Sequence, residues 1–155
     1  MNIIVLGAGG HGKVVADILK MRGDSVVGYM DDDPALLEKE PLGLPVLGPI
    51  ADYIRYPDTH LIVGIGSNRV RFHITQQVME GEAATRWTTA IHPRASVASS
   101  TQVGAGTVIA AGAVVNPDTA LGAHVIINTS SSVDHDCVIE DFVHIAPGAH
   151  LGGGV

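Results

Sequence analysis

The sequence predicts a small α/β unit over residues 1–90 that is followed by a parallel β-helix over residues 91–155. Two observations support this fold class. Strand-like and helix-like stretches alternate through the first 90 residues, which is typical of units with a parallel sheet. From Ile91 onward an aliphatic residue returns at every sixth position, and hexapeptide repeats are typical of a parallel β-helix.

The first unit opens with a strand, a glycine-rich turn and a helix. Residues 2–6 are apolar, residues 7–12 read G-A-G-G-H-G, and a helical pattern of apolar residues follows. A second apolar run over residues 25–30 ends in the acidic residues 31–33. A G-x-G-x-x-G turn with an acidic residue about 20 positions later is the fingerprint of a dinucleotide site. Taken alone, this pattern indicates an NAD-binding oxidoreductase, which stays as an alternative.

The length of the first unit favours a smaller ligand. About 85 residues precede the repeat, too few for the two halves of a full Rossmann domain, so we predict a Rossmann-like half domain that binds a mononucleotide unit. Its further elements are a short helix near residues 51–55, a strand over 60–65, a helix over 68–79 and a last strand near 85–90. Gly66 and Asn68 lie where the strand over 60–65 passes into the helix over 68–79. Ligands of α/β sheets bind at such strand ends, and helix N-termini favour phosphate.

The hexapeptide repeat defines the second unit. Its aliphatic positions are Ile91, Val97, Val103, Ile109, Val115, Leu121, Ile127, Val133, Ile139, Ile145 and Leu151. Four residues after each of these comes a small or β-branched residue. Three hexapeptides make one coil of about 18 residues, with the aliphatic side chains on the axis. We expect the corners at Gly104, Asn116, Gly122, Asn128 and Asp134, because these residue types favour turns.

The composition limits the classes of partner. The chain has 155 residues and a formal net charge of -7, and its nine Lys and Arg form no basic run, so we expect no nucleic acid partner. No apolar stretch approaches the roughly 20 residues of a membrane span, and no signal peptide precedes the first strand. We therefore expect a cytoplasmic protein that does not bind membranes. The single cysteine, Cys137, occupies an inward position of the repeat, which favours a packing role over that of a nucleophile.

Four motifs together identify a family resemblance. They are G-A-G-G-H-G at residues 7–12, D-D-D at 31–33, G-I-G-S-N at 64–68 and N-T-S-S-S-V-D-H-D-C at 128–137. The combination resembles the bacterial hexapeptide-repeat acetyltransferases that modify sugar nucleotides or sialic acid, and its pattern is most similar to the N-acetyltransferases of UDP-4-amino sugars and GDP-perosamine. The resemblance covers the whole chain. It implies a left-handed β-helix, acetyl-CoA as co-substrate, a nucleotide-linked amino sugar of bacterial surface glycan synthesis as acceptor, and a homotrimer.

The resemblance also implies roles for individual residues. His135 would be the catalytic base, and Asp136 would orient it. The Gly153 amide would stabilise the oxyanion, while His144 would lie near the acetyl group and Asn128 near the acceptor sugar. The contacts to the nucleotide sugar would come from Gly9, Gly10, His11, Asp31, Asp32, Gly66 and Asn68. The reaction implied is direct transfer without an acyl-enzyme.

The repeat itself adds an argument for His135 and Gly153. Gly153 follows His135 by 18 residues, so it should lie one coil higher and about 4.8 Å away. A residue without Cβ beside the base would leave room for a thioester. An outward imidazole with a neighbouring carboxylate can act as a general base when it is neutral. We expect no metal site, because histidines 124, 135, 144 and 150 are not 18 residues apart and would not stack on one face.

Three points stay open in the sequence. The acceptor could present a hydroxyl group instead of an amine, as in sialic acid or sugar O-acetylation, and the β-helix could be a scaffold without catalytic activity. The repeat runs to Val155 with no capping element, so we expect the chain to be truncated and further coils to follow in the intact protein.

Overall fold

The computed structural model describes residues 1–79 and 86–155. They form two compact units, Met1–Thr88 and Thr89–Val155. The sequence predicted a boundary after residue 90. Ala90 lies in the second unit because its amide donates a hydrogen bond to the carbonyl of Thr107 (3.0 Å).

A three-stranded parallel sheet forms the centre of the first unit. Strands β1 (Asn2–Leu6), β2 (Ser25–Met30) and β3 (His60–Val63) lie in the order β2-β1-β3, and the predicted parallel direction is confirmed. The predicted third strand was two residues too long. Of the predicted strand near residues 85–90, residue 85 lies outside the described residues. In the rest, Trp87 forms an isolated parallel bridge with Leu61, and Ala90 belongs to a strand of the second unit.

In the part of the first unit that the structure describes, two α-helices and three short 3-10 helices join the strands. Helix α1 spans Gly10–Arg22 and α2 spans Asn68–Met79, as predicted for residues 68–79. The 3-10 helices are Pro34–Leu36, Pro41–Gly43 and Ile50–Arg55. The core on one side of the sheet is formed by Ile4, Leu6, Met30, Ile50, Tyr53, Leu61, Val63, Ile74 and Val78.

The glycine fingerprint allows α1 to lie close to the sheet. A Cβ atom on Gly12 would lie 2.0 Å from the carbonyl oxygen of Gly7, and one on Gly64 would lie 2.7 Å from the Cα of Gly12. Any side chain at either position would push the helix away from the strand ends. The motif therefore has a packing function in this unit, independent of any ligand.

The second unit is a parallel β-helix of two-residue strands. Each strand pairs in parallel with the strands 18 residues before and after it, for example Ile127 with Ile109 and Ile145. The pairs build three sheets, in the orders β13-β10-β7-β4, β14-β11-β8-β5 and β12-β9-β6. The strands are β4 (Ala90–Ile91), β5 (Ser96–Val97), β6 (Gln102–Val103), β7 (Val108–Ile109), β8 (Val114–Val115), β9 (Ala120–Leu121), β10 (Ile126–Ile127), β11 (Ser132–Val133), β12 (Val138–Ile139), β13 (His144–Ile145) and β14 (His150–Leu151).

All eleven predicted aliphatic positions lie in one core of the β-helix. Seven of them are buried, and those at the two ends, such as Ile91 and Leu151, are partly buried. Cys137 is fully buried in the same core, as predicted. Each buried aliphatic side chain contributes about 1.5–3 kcal/mol of gross transfer free energy, so this column is the main source of stability of the unit.

The corners of the β-helix differ from the prediction. Left-handed φ angles recur every six residues at positions 106, 112, 118, 124, 130, 136, 142, 148 and 154, two residues after the expected corner positions. The predicted residues begin the turns and do not adopt this conformation. Gly104 is required for another reason, since its Cβ would lie 2.3 Å from the backbone of Gly122 in the next coil. Asp136, beside the candidate base, is itself in the left-handed region with φ 57.

Candidate functional site

His135 lies on the outer side of the turn between β11 and β12. Hydrogen bonds to the adjacent coils hold this turn, because the carbonyl of His135 accepts from the Gly154 amide (2.9 Å) and the amide of Asp136 donates to the carbonyl of Pro117 (3.1 Å). The side chain of His135 is 61% exposed, so the imidazole projects into solvent from a backbone that is fixed on both sides.

Asp136 contacts the imidazole of His135 directly. Its Oδ2 atom lies 2.6 Å from Nδ1 of His135. An ionised carboxylate can only accept a hydrogen bond, so Nδ1 carries the proton and a neutral ring keeps its free lone pair on Nε2. This arrangement provides an oriented acceptor for a proton.

A second carboxylate, Asp134, lies on the other side of His135. Its Oδ1 accepts from the His135 amide (2.8 Å) and from Nδ2 of Asn116, 18 residues earlier (2.8 Å). These hydrogen bonds lower the pKa of Asp134, so it is ionised at neutral pH. The hydrogen bond that His135 donates to Asp136 and the charge of Asp134 raise the pKa of His135. Both carboxylates beside His135 are visible in the sequence, but sequence reasoning missed the hydrogen bond between Asn116 and Asp134, although their spacing of 18 residues could have revealed it.

Gly153 lies beside His135, one coil higher. A Cβ atom at this position would lie 2.7 Å from Cε1 and Nε2 of His135. The expectation that the missing side chain leaves room for a thioester needs a correction, because the nearest occupant of that space is the imidazole itself. Gly153 has no left-handed φ, so the need for glycine here comes from this contact.

Asn128 and His144 contact each other at the preceding corner of the β-helix. Nδ2 of Asn128 lies 2.9 Å from Nε2 of His144. Oδ1 of Asn128 accepts from the amide of Thr129, so its NH2 group faces His144 and donates to it. These two candidates therefore form one polar pair.

The other two histidines of the β-helix considered for a metal site have separate contacts. Nδ1 of His150 lies 2.8 Å from Oγ of Ser132, and His124 is stacked on Phe142 with ring centroids 5.3 Å apart. Among residues 1–79 and 86–155, no three His, Cys, Asp or Glu side chains are grouped as metal ligands would be.

In the first unit, Gly9 and Gly10 line a cavity of about 590 Å³ at the start of α1. Two cationic side chains also line it, Lys13 and Lys39. The remaining lining residues are Ala8, Leu36, Glu40, Pro41 and Leu42. His11 lies half-buried in the first turn of α1. The cavity therefore combines apolar surface with positive charge and the N-terminal end of a helix.

The acidic cluster after β2 binds backbone amides. Oδ2 of Asp31 accepts from the amide of Ala8 (2.8 Å), and its Oδ1 accepts from the amide of Asp33 (2.9 Å). Oδ1 of Asp32 accepts from the amide of Ile50 (2.9 Å). Asp31 thus ties the glycine turn to the end of the neighbouring strand, a structural role that sequence reasoning did not foresee. Each carboxylate still has further lone pairs with which it can accept from a ligand.

The turn with Gly66 and Asn68 is held by a buried arginine. Arg71 is 1% exposed, and its Nη1 donates to the carbonyls of Ile65 and Gly66 (both 3.1 Å). Its Nη2 donates to Oδ1 of Asn68 (2.9 Å). Burial lowers the pKa of Arg71 to about 10, so the guanidinium is charged at neutral pH. Sequence reasoning missed Arg71, whose place in an otherwise ordinary helical pattern gave no signal.

The described residues contain no helix that is both long and apolar enough to cross a membrane.

Residues 2–78 match the model of the PglD N-terminal domain. The whole chain is 27% identical to a GDP-perosamine N-acetyltransferase of Escherichia coli O157:H7, of which it covers 72%. Over 71% of its length it is 36% identical to a UDP-N-acetylbacillosamine N-acetyltransferase of Bacillus subtilis, of which it covers 51%. The chain therefore spans about half to three quarters of the length of these relatives.

Solved structures resemble the chain over nearly its full length. The acetyltransferase domain of PglB from Neisseria gonorrhoeae matches 98% of this chain with a TM-score of 0.89 and 37% identity, and the match covers 74% of that domain. A variant of perosamine N-acetyltransferase from Caulobacter crescentus, in complex with CoA and GDP-perosamine, matches 99% of this chain with a TM-score of 0.88 and 34% identity. Of that protein, the match covers 72%.

Proposed function

The chain belongs to the sugar-nucleotide acetyltransferase family of the hexapeptide-repeat acyltransferases, and we propose that it transfers an acetyl group from acetyl-CoA to the amino group of a nucleotide-linked amino sugar. The observation that carries this proposal is the oriented imidazole of His135, with Asp136 on Nδ1 and Gly153 beside the ring. The relatives from Escherichia coli and Bacillus subtilis are N-acetyltransferases, which favours an amine over a hydroxyl acceptor.

The proposed reaction is a direct transfer. The amine nitrogen of the sugar attacks the thioester carbonyl carbon of acetyl-CoA, and Nε2 of His135 accepts a proton from that nitrogen. A C–N bond forms, the C–S bond breaks, and the proton leaves with the CoA thiolate, so the products are the acetamido sugar and CoA. Asp136 stabilises the imidazolium that forms in between. The Gly153 amide donates to the oxyanion of the tetrahedral intermediate.

Further roles are proposed for the polar residues of each unit. In the second unit, His144 lies near the acetyl group and Asn128 near the acceptor sugar. In the first unit, the nucleotide is bound by residues of the glycine turn, of the acidic cluster and of the turn before α2. These residues are Gly9, Gly10, His11, Asp31, Asp32, Gly66 and Asn68.

We propose that the first unit is a Rossmann-like half domain, an interpretation supported by its strand order β2-β1-β3 and its glycine fingerprint. We also propose a left-handed β-helix and a homotrimer. Small residues such as Ala105, Ala111 and Ala123 would permit flat faces to pack closely, whereas Ala110, which the sequence also offered, is buried. Light scattering of the full-length protein at active concentrations tests the trimer, and a monomeric mass would refute it.

Release of CoA thiol tests the activity. The protein is mixed with acetyl-CoA and, in turn, with UDP-linked amino sugars, GDP-linked amino sugars and free sialic acid. We expect thiol release only with a nucleotide-linked amino sugar, and release with sialic acid alone would assign O-acetylation. The nucleotide sugar should also raise the thermal unfolding temperature of the protein, and NAD should not. Saturable NAD binding with hydride transfer would instead favour an oxidoreductase.

We also propose a cytoplasmic location, which cell fractionation tests.

A further inference from the structure

Several inward side chains of the β-helix donate hydrogen bonds to backbone carbonyl groups that follow them in the chain and lie in the next coil. Oγ1 of Thr107 donates to the carbonyl of Gly122 and Oγ1 of Thr119 to the carbonyl of Asp134, both at 2.9 Å. Cys137 occupies the equivalent position one coil after Thr119, and its Sγ lies 3.3 Å from the carbonyl oxygen of Gly152. In all three cases the acceptor follows the donor by 15 residues.

The direction of each inward carbonyl fixes the direction of the amide in the same peptide, which belongs to the next residue. The C=O and N–H of a trans peptide point in opposite directions, so an oxygen held toward the axis turns the next N–H toward the exterior. After Gly122, the amide of Ala123 donates to Oδ1 of Asp141 (2.7 Å). After Asp134, the amide of His135 donates to Oδ1 of the Asp134 side chain (2.8 Å).

At two of these turns the outward amide therefore binds a carboxylate oxygen. The third amide is that of Gly153, and the carbonyl of Gly152 in the same peptide lies against the inward thiol of Cys137. Gly153 itself lies beside the ring of His135. By analogy with the other two turns, an outward amide at this position suits an oxygen that carries negative charge.

We propose that Cys137 is a positioning residue for this oxyanion donor. Its buried thiol holds the carbonyl of Gly152 toward the axis and thereby directs the Gly153 amide at the thioester oxygen that becomes negative during acetyl transfer. This inference rests on the proposed function. The thiol also lies 3.6 Å from the carbonyl oxygen of His135, so one side chain contacts the backbone of both the base and the oxyanion donor.

The repeat supplies a test that separates hydrogen bonding from packing. Threonine stands at the equivalent position one coil earlier, as Thr119, and valine stands at the equivalent position of another corner, as Val125. Cys137→Thr keeps a donor and Cys137→Val removes it, while the two side chains have nearly the same shape. A role in packing alone would affect both variants equally.

We expect Cys137→Val to lower kcat about tenfold, a fraction of the roughly 100- to 1,000-fold that a complete oxyanion donor contributes. The KM for acetyl-CoA should change little, because the interaction is made in the transition state. Cys137→Thr should restore kcat to within about twofold of the original value.

Thr101→Val is the matched control. Oγ1 of Thr101 lies 3.4 Å from the carbonyl oxygen of Asn116, the same contact two coils before Cys137. The residue after Asn116 is Pro117, which has no amide hydrogen to direct. This variant should lose a comparable buried hydrogen bond and leave kcat unchanged.

Equal kcat values for the Val and Thr variants at position 137 would overturn the proposal. A second readout does not depend on turnover. Amide NMR of the full chain should show the Gly153 resonance displaced in Cys137→Val and close to its original position in Cys137→Thr. If the unsubstituted protein transfers no acetyl group, the proposed function fails, and the NMR comparison alone decides whether Cys137 orients this peptide.

Discussion

The imidazole of His135 occupies the space that a Cβ atom on Gly153 would need. The two residues are 18 positions apart and lie on successive coils, and the distance from such a Cβ atom to Nε2 would be only 2.7 Å. The candidate base and the candidate oxyanion donor are therefore in contact across the stack, and a side chain on Gly153 would displace the imidazole.

Gly153→Ala should misplace the base and barely affect the fold. The added methyl group would force the exposed ring of His135 away from Asp136, and a misplacement of about 1 Å can cost on the order of 100-fold in rate. We expect kcat to fall about 10- to 100-fold, with less than about 0.5 kcal/mol of change in the free energy of unfolding. Steady-state kinetics and urea unfolding measure the two effects. If the substitution acts through the base, adding it to His135→Ala should cause little further loss.

His135→Ala should lower turnover by about 100- to 10,000-fold, the usual contribution of a positioned general base. The side chain is mostly exposed, so the unfolding free energy should stay nearly constant. His150→Ala removes another outward histidine of the same unit and serves as the control. Its turnover should stay near normal. Near-normal turnover of the His135 variant at saturating substrate would place the base elsewhere, and His144 would be tested next.

The inward side chains could be predicted because an aliphatic residue recurs at every sixth position of the sequence. A period of six residues has one structural explanation, and the aliphatic residues from Ile91 to Leu151 all lie in the core as expected. The corners could not be placed to the residue. Asn and Gly favour turns in general, but the left-handed angle falls on Asp118, His124, Ser130, Asp136 and Phe142, where the closed geometry of the coil imposes it on whatever residue stands there.

The partners of the candidate site were harder to predict than its central residues. The contact between His135 and Gly153 followed from the coil length, whereas the hydrogen bond from Asn116 to Asp134 depends on rotamers as well as on spacing. In the first unit, Asp31 and Arg71 use local backbone groups as partners. Such contacts arise only when the loops have folded, so residue types and spacing alone do not indicate them.

Arg71→Met should destabilise the first unit and weaken nucleotide binding. The substitution removes three hydrogen bonds to the turn of Gly66 and Asn68 and leaves partly buried carbonyls without these donors, at a cost of about 1–3 kcal/mol. Arg71→Lys keeps the charge but not the planar fork, so an intermediate loss is expected. Urea unfolding and the KM for the nucleotide sugar measure the two effects. A stable Met variant with an unchanged KM would show that Arg71 does not hold this turn for substrate.

Asp136→Asn should move the acidic limb of the pH profile of kcat/KM to lower pH. Two interactions raise the pKa of His135 above 6.5: the main one is the hydrogen bond that its Nδ1 donates to Asp136, and the second is the charge of Asp134. A general base works only when neutral, so kcat/KM of the original protein should fall as the pH drops below that raised pKa. Asparagine carries no charge and stabilises the imidazolium less. The pKa of His135 should then decrease, although the plateau at high pH should be lower because the ring is less well oriented.

Asp118→Asn is the control for this substitution. Asp118 stands one coil before Asp136 at the same corner and has the same left-handed backbone, with φ 60 against 57. Asparagine tolerates this conformation, so both variants should fold. Asp118 is preceded by Pro117 instead of a histidine, and its loss should leave the acidic limb in place. If both variants moved the limb equally, net charge would explain the effect. If neither moved it, Asp136 would not set the proton affinity of the base.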